Sequence, residues 1–585
     1  MRAVLRGALA AAAAAASLAL AQDAGVAPPA GLALHGVPPI PARIAEALAP
    51  YADFRPHALL SWHPLRREML VARGVDGAEG VRLVTQPGEA PRSLADSAGA
   101  VRYAEFQPSS GASFVFTRAE GGDATVRLYR EDMDTHDVTA LSAAGERVGA
   151  VAWSPAGDRV AYATQGQDRA PHASTALHIV DPMRPGTDRV LARLPGGGWS
   201  DIRFSEDGRR LALVEHRSAR ESAIWLMDAS SGRRWRLTRP ARGVSYAKPR
   251  FTRDARALFA IGDRGSDFRR LVRIALPGGR ERVLTGAIAH DVDDFDVSFA
   301  AGRIAFTTNE YGSDVLRFID LASLKEVPRP SLVEGVIHNL RWRPGADEVA
   351  FQVASARSAG DVFSYDVRTN QLARWTNGNS PRLNTRGFAE PHVIRWKGPD
   401  AREMSGLLYE PPARFAGKRP VVIAIRAGPG SQARPGFIGA ENYLVSELGF
   451  ALIHPNVRGA SGFGKKFLAL ASGPRRVGAV ADIGALLGWI AKQPGLDAGR
   501  VAIVGTGEGG DLALASAARY GKPLLLAREA SGPGEPGGEL RGIAASLGRR
   551  GIPVGSVVAR DGLAKPANAE FLSCATVEFL RHTLR

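Results

Sequence analysis

Residues 505–510 read Gly-Thr-Gly-Glu-Gly-Gly and follow an apolar run at 501–504. This pattern predicts a strand, a sharp turn and then a helix over residues 512–520. In many hydrolytic enzymes such a turn has the form G-x-S-x-G, and its central serine attacks the substrate carbonyl. The central position here is Gly507. Because glycine has no side chain, it cannot form an acyl-enzyme. The sequence therefore predicts a turn with the backbone shape of a nucleophile elbow but without a nucleophilic side chain.

Strand-like and helix-like segments alternate on both sides of this turn, from about residue 386 to residue 585. Buried parallel strands have continuous apolar runs, whereas amphipathic helices have apolar residues three or four positions apart. An alternating order of this kind predicts a doubly wound, mostly parallel sheet. The segments, in chain order, are 421–425, 440–448, 451–453, 477–492 and 501–504.

A different pattern repeats through the first two thirds of the chain, where an aromatic residue, a short turn and an alternating strand recur. The spacing runs from 44 residues (62 to 106) to 51 residues (153 to 204), which is near the length of a four-stranded propeller blade. Seven copies predict a seven-bladed β-propeller over residues 55–385. A solenoid of the same period is the alternative, but the strands are numerous and helical periodicity is absent. The copies begin at Trp62, Phe106, Trp153, Phe204, Phe251 and Trp342, with a weaker one between Phe295 and Phe306.

The first 21 residues have the pattern of a signal peptide. Met1, Arg2 and Arg6 give a basic start, an Ala/Leu-rich run follows, and residues 19–21 read Ala-Leu-Ala. The apolar run is too short for a membrane anchor. We therefore expect an exported protein, periplasmic or secreted, without a membrane span. Residues 22–54 form a Pro-rich lead-in with a predicted short helix at 42–48.

The composition is that of a globular protein with more than one domain: 585 residues, 45% of them hydrophobic and 23% charged. The net charge of +16 comes mostly from arginines that are scattered singly along the chain. This distribution favours an arginine-rich composition of the source genome as its cause over a nucleic-acid partner. The single cysteine, Cys574, cannot form a disulfide within the chain. No metal-binding motif is present, so the sequence predicts neither a metal nor another cofactor.

A propeller followed by a sheet domain with this turn resembles the prolyl oligopeptidase family of serine peptidases, whose catalytic domain is an α/β-hydrolase. The resemblance covers nearly all of the chain after residue 21. It implies a catalytic triad in the chain order Ser, Asp, His and an oxyanion site at the end of the first central strand. Four further segments agree with the family pattern: Gly-Pro-Gly-Ser-Gln at 428–432, Pro-Asn-Val-Arg-Gly at 455–459, Gly-Phe-Gly at 462–464 and Ala-Thr-Val-Glu-Phe-Leu at 575–580.

Each catalytic position that the resemblance implies is altered in this chain. The nucleophile position falls on Gly507 and the acid position on Gly532. The turn that carries the family's histidine is shortened between Asp561 and Gly562, so the base is deleted. Arg426 stands where relatives have a His or Tyr before the Gly-Pro pair of the oxyanion site. We interpret all of these as vestigial positions.

The segment between the nucleophile and acid positions is also short, with 25 residues (532 minus 507) where the family has several dozen more. We therefore expect the sheet to lack the strand that normally follows the turn's helix. The strand predicted at 523–527 should then pair directly with the strand at 501–504, because residues 511–522 suffice for one helical crossover.

A relocated triad would have to use other residues of the same domain. None of the candidate serines has a histidine placed beside it by a motif, so they are interpreted as turn and cap residues. The histidine that ends the second strand is interpreted as a hydrogen-bonded structural residue. The candidates are Ser431, Ser461, Ser516, His454 and His582.

The sequence leaves three functions open. The first is an exported, non-catalytic relative of the prolyl oligopeptidases that binds peptides or another exported protein. The second is an active serine hydrolase with an unrecognised arrangement, and the third is a decaying gene product whose second domain does not fold stably. Arginines of the propeller could line a channel for acidic groups or peptide C-terminal carboxylates, or could simply form a solvated surface. No pattern indicates an oligomeric state.

Overall fold

The structure is a computed structural model, and it describes residues 25–74, 80–94, 100–120, 125–165, 174–218, 220–328, 334–426, 430–471, 478–529 and 537–584. The predicted signal peptide, residues 1–21, lies outside this set. The chain divides into two compact units, one at 55–378 and the other combining the N-terminal segment up to residue 54 with residues 379–585. The lead-in therefore groups with the C-terminal unit, and that unit resumes at Asn379, seven residues before the boundary expected from the sequence.

The unit at 55–378 is built from β-strands alone among its described elements, in seven consecutive groups of four antiparallel strands. A single parallel pair between Val126 and Arg147 joins the second group to the third. The strands are β2–β5 (His57–Trp62, Met69–Arg73, Val81–Val84, Arg92–Ser93), β6–β9 (Val101–Phe106, Ser113–Glu120, Thr125–Asp132, Val138–Ala140), β10–β13 (Arg147–Trp153, Val160–Gln165, Ser174–Asp181, Arg184–Pro195), β14–β17 (Trp199–Phe204, Arg210–Ser218, Glu221–Asp228, Arg234–Arg236), β18–β21 (Tyr246–Phe251, Ala257–Gly262, Arg270–Ala275, Glu281–Val283), β22–β25 (Asp291–Ser298, Arg303–Glu310, Ser313–Asp320, Glu326–Val327) and β26–β29 (Val336–Trp342, Glu348–Ser355, Ser358–Asp366, Gln371–Arg374).

The repeated aromatic residues end the first strands of the groups and are buried. Trp62, Phe106 and Trp342, for example, are at most 7% exposed. Each of the seven first strands also shifts register against the second strand of its own group, as a β-bulge does. The sequence repeat thus corresponds to one buried, bulged strand per group.

The first and last groups of this unit pack against each other. Strand β2 contacts β26, and the rings of Trp62 and Trp375 meet edge to face at 5.3 Å. The buried carboxylate of Asp361 accepts a hydrogen bond from the backbone of Gly378 at 2.8 Å and lies 3.8 Å from His57 of the first group. Because the ends of the unit are joined by apolar and polar contacts, its first strands form a closed succession.

The C-terminal unit contains one eight-stranded sheet, in the order β1-β36-β35-β34-β32-β33-β31-β30. Its central strands β33, β32, β34, β35 and β36 are mutually parallel, and the outer pairings of β30, β31 and β1 are antiparallel. The bounds are β1 Leu32–His35, β30 His392–Lys397, β31 Glu403–Tyr409, β32 Arg419–Ile425, β33 Ala451–Asn456, β34 Leu496–Thr506, β35 Leu524–Glu529 and β36 Val554–Ala559.

Seven α-helices are described, and all belong to the same unit as this sheet: α1 Ala42–Ala52, α2 Glu441–Ser446, α3 Lys465–Leu468, α4 Gly478–Ile490, α5 Gly510–Tyr520, α6 Gly537–Arg549 and α7 Pro566–Leu584. Short 3-10 turns lie at Thr385–Gly387, Ala469–Ala471 and Gly507–Gly509. Apolar residues of α4 and α5, such as Ile483, Leu486 and Ala513, pack on the buried faces of β32 and β34. None of the helices within the described ranges is long and apolar enough to cross a bilayer.

The predicted strand neighbours are confirmed. Strand β35 runs parallel to β34, with Leu524 opposite Ile503 and Ala527 opposite Thr506. Helix α5 connects the two strands and ends at Tyr520, and its C-cap residue Gly521 adopts a left-handed conformation with φ of 62°. The short segment after the turn therefore forms a single crossover between adjacent strands.

Candidate active site

The turn after β34 has the backbone of a nucleophile elbow at Gly507. This residue is exposed and has φ of +53°, and a 3-10 turn leads from it into α5. A serine would be strained at this φ, whereas glycine adopts it without steric cost. A Cβ atom built on Gly507 would meet no atom of the described residues within 4 Å. The site thus keeps the elbow conformation and has space for a side chain, but it has no nucleophile.

Two glycines near the turn allow α5 to pack closely against β34 and β35. A Cβ on Gly505 would lie 2.4 Å from the Cβ of Ala513, and a Cβ on Gly510 would lie 2.7 Å from Leu526 Cδ1. Such distances are far inside van der Waals contact, so only glycine lets α5 approach β34 and β35 this closely. The glycines on either side of Gly507 are therefore required by packing.

The parallel strands bring the sequence-predicted positions to one edge of the sheet, because the carboxyl ends of parallel strands lie together. The hydroxyl of Thr506, next to Gly507, donates to the backbone oxygen of Arg426 at 3.4 Å. The end of β35 contacts the turn after β36 through Glu529, whose Oε1 accepts from the backbone of Leu563 at 3.1 Å. These two hydrogen bonds connect the ends of β32 and β34, and of β35 and the turn after β36, at one edge of the sheet.

The acid position, Gly532, lies outside the described residues. At the base position, Asp561 and Gly562 belong to the six-residue turn 560–565 between β36 and α7, which contains no histidine. The carboxylate of Asp561 accepts from Asn568 Nδ2 at 2.8 Å and from Lys565 Nζ at 2.6 Å. These bonds hold the start of α7, and the first of them is made by a residue of that helix. Asp561 therefore stabilises the shortened turn.

The side chain of Arg426, at the oxyanion position, belongs to a cluster of charged groups. Arg426 Nη2 lies 2.7 Å from Glu441 Oε2, and Arg426 Nε donates to Glu441 Oε1 at 3.1 Å. His454 Nε2 lies 3.0 Å from the same Oε2 atom. His454 therefore has the expected polar partner, but it lies inside β33 (Ala451–Asn456) and not at its end, and its structural role stays a prediction.

The electrostatics of this cluster favour a charged carboxylate. Burial alone would raise the pKa of Glu441, but Arg426 and His454 outweigh burial and lower that pKa to about 2. Nearby, burial raises the pKa of Tyr409, and the negative charge of Glu441 raises it further. The Arg426 guanidinium is therefore neutralised by Glu441, which weakens it as a stabiliser of a developing oxyanion.

The serines considered for a relocated triad lie in two places, a helix and a pair of adjoining turns. Ser516 is fully buried in α5, and its hydroxyl has no partner among the described residues. The backbone of Ser461 donates to the backbone oxygen of Ser431 at 3.2 Å, so these two belong to adjoining turns. His582 is exposed on α7.

Sequence reasoning did not find Glu441. It lies in the first turn of α2, where an acidic residue is typical of any helix start. Its proximity to His454 and Arg426 follows from the adjacent positions of β32 and β33 in the sheet. The arginine itself was a weak signal, because the Arg426 side chain is 47% exposed and water can solvate its charge.

An α/β-hydrolase domain joined to a β-rich unit is the class of protein that the fold defines. Residues 435–523 match the family model described as the prolyl oligopeptidase family. Dipeptidyl aminopeptidase BIII of Pseudoxanthomonas mexicana is 23% identical over 477 residues, which are 74% of this chain and 64% of that relative. The chain therefore spans less than two thirds of the length of that relative.

Solved structures show the same fold. A structure from a study of two prolyl endopeptidases has a TM-score of 0.74 and 14% identity, covering 92% of both chains. A puromycin-hydrolyzing peptidase of Mycobacterium tuberculosis has a TM-score of 0.73 and 16% identity, covering 96% of this chain and 98% of the other. The family match and the dipeptidyl aminopeptidase show what this chain is similar to in sequence, and the solved structures show the fold that it shares.

Proposed function

We propose that this chain is an exported, non-catalytic member of the prolyl oligopeptidase family that binds peptides or another exported protein. The observation that carries the proposal is Gly507, a glycine at the centre of an otherwise preserved elbow. Without a hydroxyl or thiol at this position, the covalent step of a serine peptidase has no attacking atom. The proposed architecture is a seven-bladed β-propeller followed by a truncated α/β-hydrolase domain.

The other catalytic positions support the same conclusion. Asp561 serves the start of α7, and Gly532 supplies no carboxylate to orient a base. Removing one member of a serine triad typically lowers turnover by a factor of about 10⁴ to 10⁶. With the nucleophile, base and acid positions all altered, we expect no detectable turnover by this mechanism.

Binding remains possible without catalysis, because binding surfaces do not depend on the triad. The β-rich unit has an extensive buried core, which would support a binding surface in an exported protein. The apolar leader at residues 1–21 is the basis for proposing export to the periplasm or the medium.

The test is to treat the purified protein with a fluorophosphonate probe beside an active prolyl oligopeptidase, and to assay both with prolyl and alanyl peptide substrates. We expect no labelling and no turnover above buffer, together with a cooperative thermal unfolding transition. Labelling, or turnover that a serine-directed inhibitor abolishes, would contradict the proposal. A C-terminal unit without cooperative unfolding would favour the decaying-gene hypothesis.

One observation favours the second candidate function, an active hydrolase with a different arrangement. Glu441 and His454 form an acid–histidine pair in the same unit as the elbow. If the protein is labelled by the probe and His454→Gln abolishes the labelling, this pair supplies the base. If labelling is absent in the wild type, the pair is structural.

A further inference from the structure

A second cluster of charged groups lies in the β-rich unit, at one repeated position. In each group this position is the residue before the repeat's aromatic side chain, or before Val297 in the weaker sixth copy. The first strands contact one another in succession: β2 contacts β6, β10 contacts β14, β14 contacts β18, β18 contacts β22, β22 contacts β26, and β26 contacts β2. Residues at this position therefore come from neighbouring strands. They are Ser61, Glu105, Ala152, Arg203, Arg250, Asp296 and Arg341.

Three of these residues are arginines, and each follows a bulge. The register of the strand pair shifts just before Arg203, Arg250 and Arg341. In each bulge, the residue two positions before the arginine has a positive φ without being glycine: Asp201 (52°), Lys248 (52°) and Asn339 (57°). Such a conformation costs on the order of 1 kcal/mol for a residue with a side chain. Its recurrence at the same place in three strands indicates that the bulges serve to aim the arginines.

The carboxylates near these arginines are already engaged by other donors. Asp296 Oδ2 accepts from the backbone of Trp342 at 2.8 Å, and Arg250 Nε lies 3.8 Å from Asp296 Oδ1. Asp294 accepts from Lys248 Nζ at 2.5 Å and from two backbone groups. Glu105 accepts from the hydroxyl of Tyr103. The cluster thus contains ion pairs, but each of these carboxylates also accepts hydrogen bonds from other groups.

By contrast, two of the arginines have unused donors. Neither Arg203 nor Arg341 donates a side-chain hydrogen bond to any residue that the structure describes, although each guanidinium has five N–H groups. Both side chains are partly buried, so their hydration is incomplete. Partly buried guanidinium groups with free donors are suited to bind a planar anion in a two-point contact.

The three arginines are close enough to act on one another and on Glu105. Burial would raise the pKa of Glu105, but Arg341, Arg203 and Arg250 outweigh burial and lower that pKa. Burial and then the repulsion of Arg203 lower the pKa of Arg250 to about 10, with Arg341 adding to the repulsion. Burial would lower the pKa of Arg341, but the negative charges of Glu105 and Asp296 outweigh burial and raise it. Arginines and carboxylates from neighbouring strands therefore lie together in this cluster.

We propose that Arg203 and Arg341, with Arg250 beside them, bind a carboxylate of a peptide ligand. This inference rests on the proposed peptide-binding function and gives that function a site and a ligand chemistry. The carboxylate is either the C-terminus of a peptide or an acidic side chain, since both present the same planar pair of oxygens. The bulged strands hold the guanidinium groups in place before the ligand arrives, which reduces the entropy cost of binding.

The test is isothermal titration calorimetry of the full mature protein with three small probes. These are acetyl-trialanine with a free C-terminus, the same peptide as its C-terminal amide, and acetyl-Ala-Glu-Ala-amide. We expect the free acid to bind at least tenfold more tightly than the trialanine amide, and its affinity to fall as NaCl is raised. Binding of the glutamate peptide as tight as that of the free acid would identify an acidic side chain as an accepted source.

Substitutions of Arg203 and Arg341 test whether these residues form the carboxylate site. Arg203→Gln and Arg341→Gln should each weaken binding of the free acid at least tenfold, and Arg341→Lys should weaken it too, because lysine lacks the planar fork. Arg233→Gln, at an exposed arginine of the same unit, is the matched control and should leave binding unchanged. Thermal unfolding of each variant checks that it is folded. If a glutamine variant does not fold, binding to Arg341→Lys provides the test instead.

Several results would overturn the inference: equal binding of the acid and the amide, no binding of the acid to the folded wild type, or an equal loss in Arg233→Gln. Each of these would leave the absence of fluorophosphonate labelling, and hence the non-catalytic assignment, untouched. Conversely, labelling of the wild type would contradict that assignment without affecting arginine-dependent binding.

Discussion

Arg426 and Glu441 form a two-point ion pair, with Nη2–Oε2 at 2.7 Å and Nε–Oε1 at 3.1 Å. The pair places a neutralised arginine just after the end of β32, where the family resemblance predicts the oxyanion site. His454, inside β33, approaches the same carboxylate at 3.0 Å, so Glu441 contacts residues from two neighbouring strand segments. The arrangement has the character of a structural ion pair, and its stability can be measured separately from activity.

Gly507→Ser should not create a peptidase. The new hydroxyl would lack a base, because the turn 560–565 that should carry the histidine contains none and Gly532 supplies no carboxylate to orient one. The measurement is burst kinetics with an activated ester, together with fluorophosphonate labelling.

Gly507→Ala is the matched control for that variant, since it adds the same Cβ without the hydroxyl. Both variants should lose about 1 kcal/mol of unfolding free energy, because both place a side chain at φ of +53°. A burst in the serine variant that is absent in the alanine variant would reveal a base.

Gly505→Ala should destabilise the C-terminal unit more than Gly507→Ala. Its Cβ would lie 2.4 Å from the Cβ of Ala513 and 3.0 Å from the Cα of Gly510, so α5 must move away from β34. Overpacking of this kind costs about 1 to 3 kcal/mol, and contact with backbone puts this site near the upper value. Urea unfolding of both variants gives the comparison, and equal midpoints would contradict the packing argument.

The neighbour relationship between β34 and β35 could be predicted from the sequence because it depends on local quantities. A dozen residues between two apolar runs can form one helix and a short loop, and such a connection reaches only an adjacent parallel strand. The predicted helices were also found, although α2 ends at Ser446, before the Gly449 turn, instead of at residue 448. Helix ends depend on local hydrogen bonds that the apolar pattern does not encode.

The place of the lead-in could not be predicted, because it depends on contacts between distant residues. Leu32 pairs with Ala559, and Tyr51 of α1 donates to Glu447 at 3.1 Å. A four-residue strand with three exposed residues has no distinctive pattern of its own. The Arg426–Glu441–His454 cluster was missed for the same reason, since the sheet brings together residues that no motif connects.

Glu441→Gln should make stability less dependent on pH. The pKa of Glu441 is lowered to about 2 in the folded protein from an ordinary value of 4.5. A lowered folded pKa gives stability that is present above the unfolded pKa and is lost as pH falls through the folded pKa. The wild type should therefore exceed the variant by a constant amount above about pH 5, on the order of 3 kcal/mol, and lose that advantage between pH 4.5 and pH 2.

Urea unfolding at several pH values measures this difference. Glu410→Gln is the control, because Glu410 is exposed and its partner His392 lies 3.6 Å away at the surface. The control should follow the wild type at each pH. A wild-type advantage that persists unchanged to pH 2 would contradict the ionised pairing of Glu441 with Arg426.

Asp482→Asn should strongly destabilise the C-terminal unit, whereas Asp400→Asn should not. Both aspartates face Arg458, but Asp482 is fully buried and binds it at 2.6 Å and 2.7 Å, while Asp400 is 43% exposed at 3.3 Å. Removing the buried charge leaves Arg458, itself only 12% exposed, with a weak partner, and breaking a buried pair in this way costs about 3 to 5 kcal/mol. An exposed pair contributes about 0 to 1 kcal/mol.

Urea unfolding followed by tryptophan fluorescence should thus show a large decrease of the unfolding midpoint for Asp482→Asn and a small decrease for Asp400→Asn. Similar small shifts for both would mean that this unit gains little from its buried ion pair, which is the outcome expected of a domain that no longer folds stably.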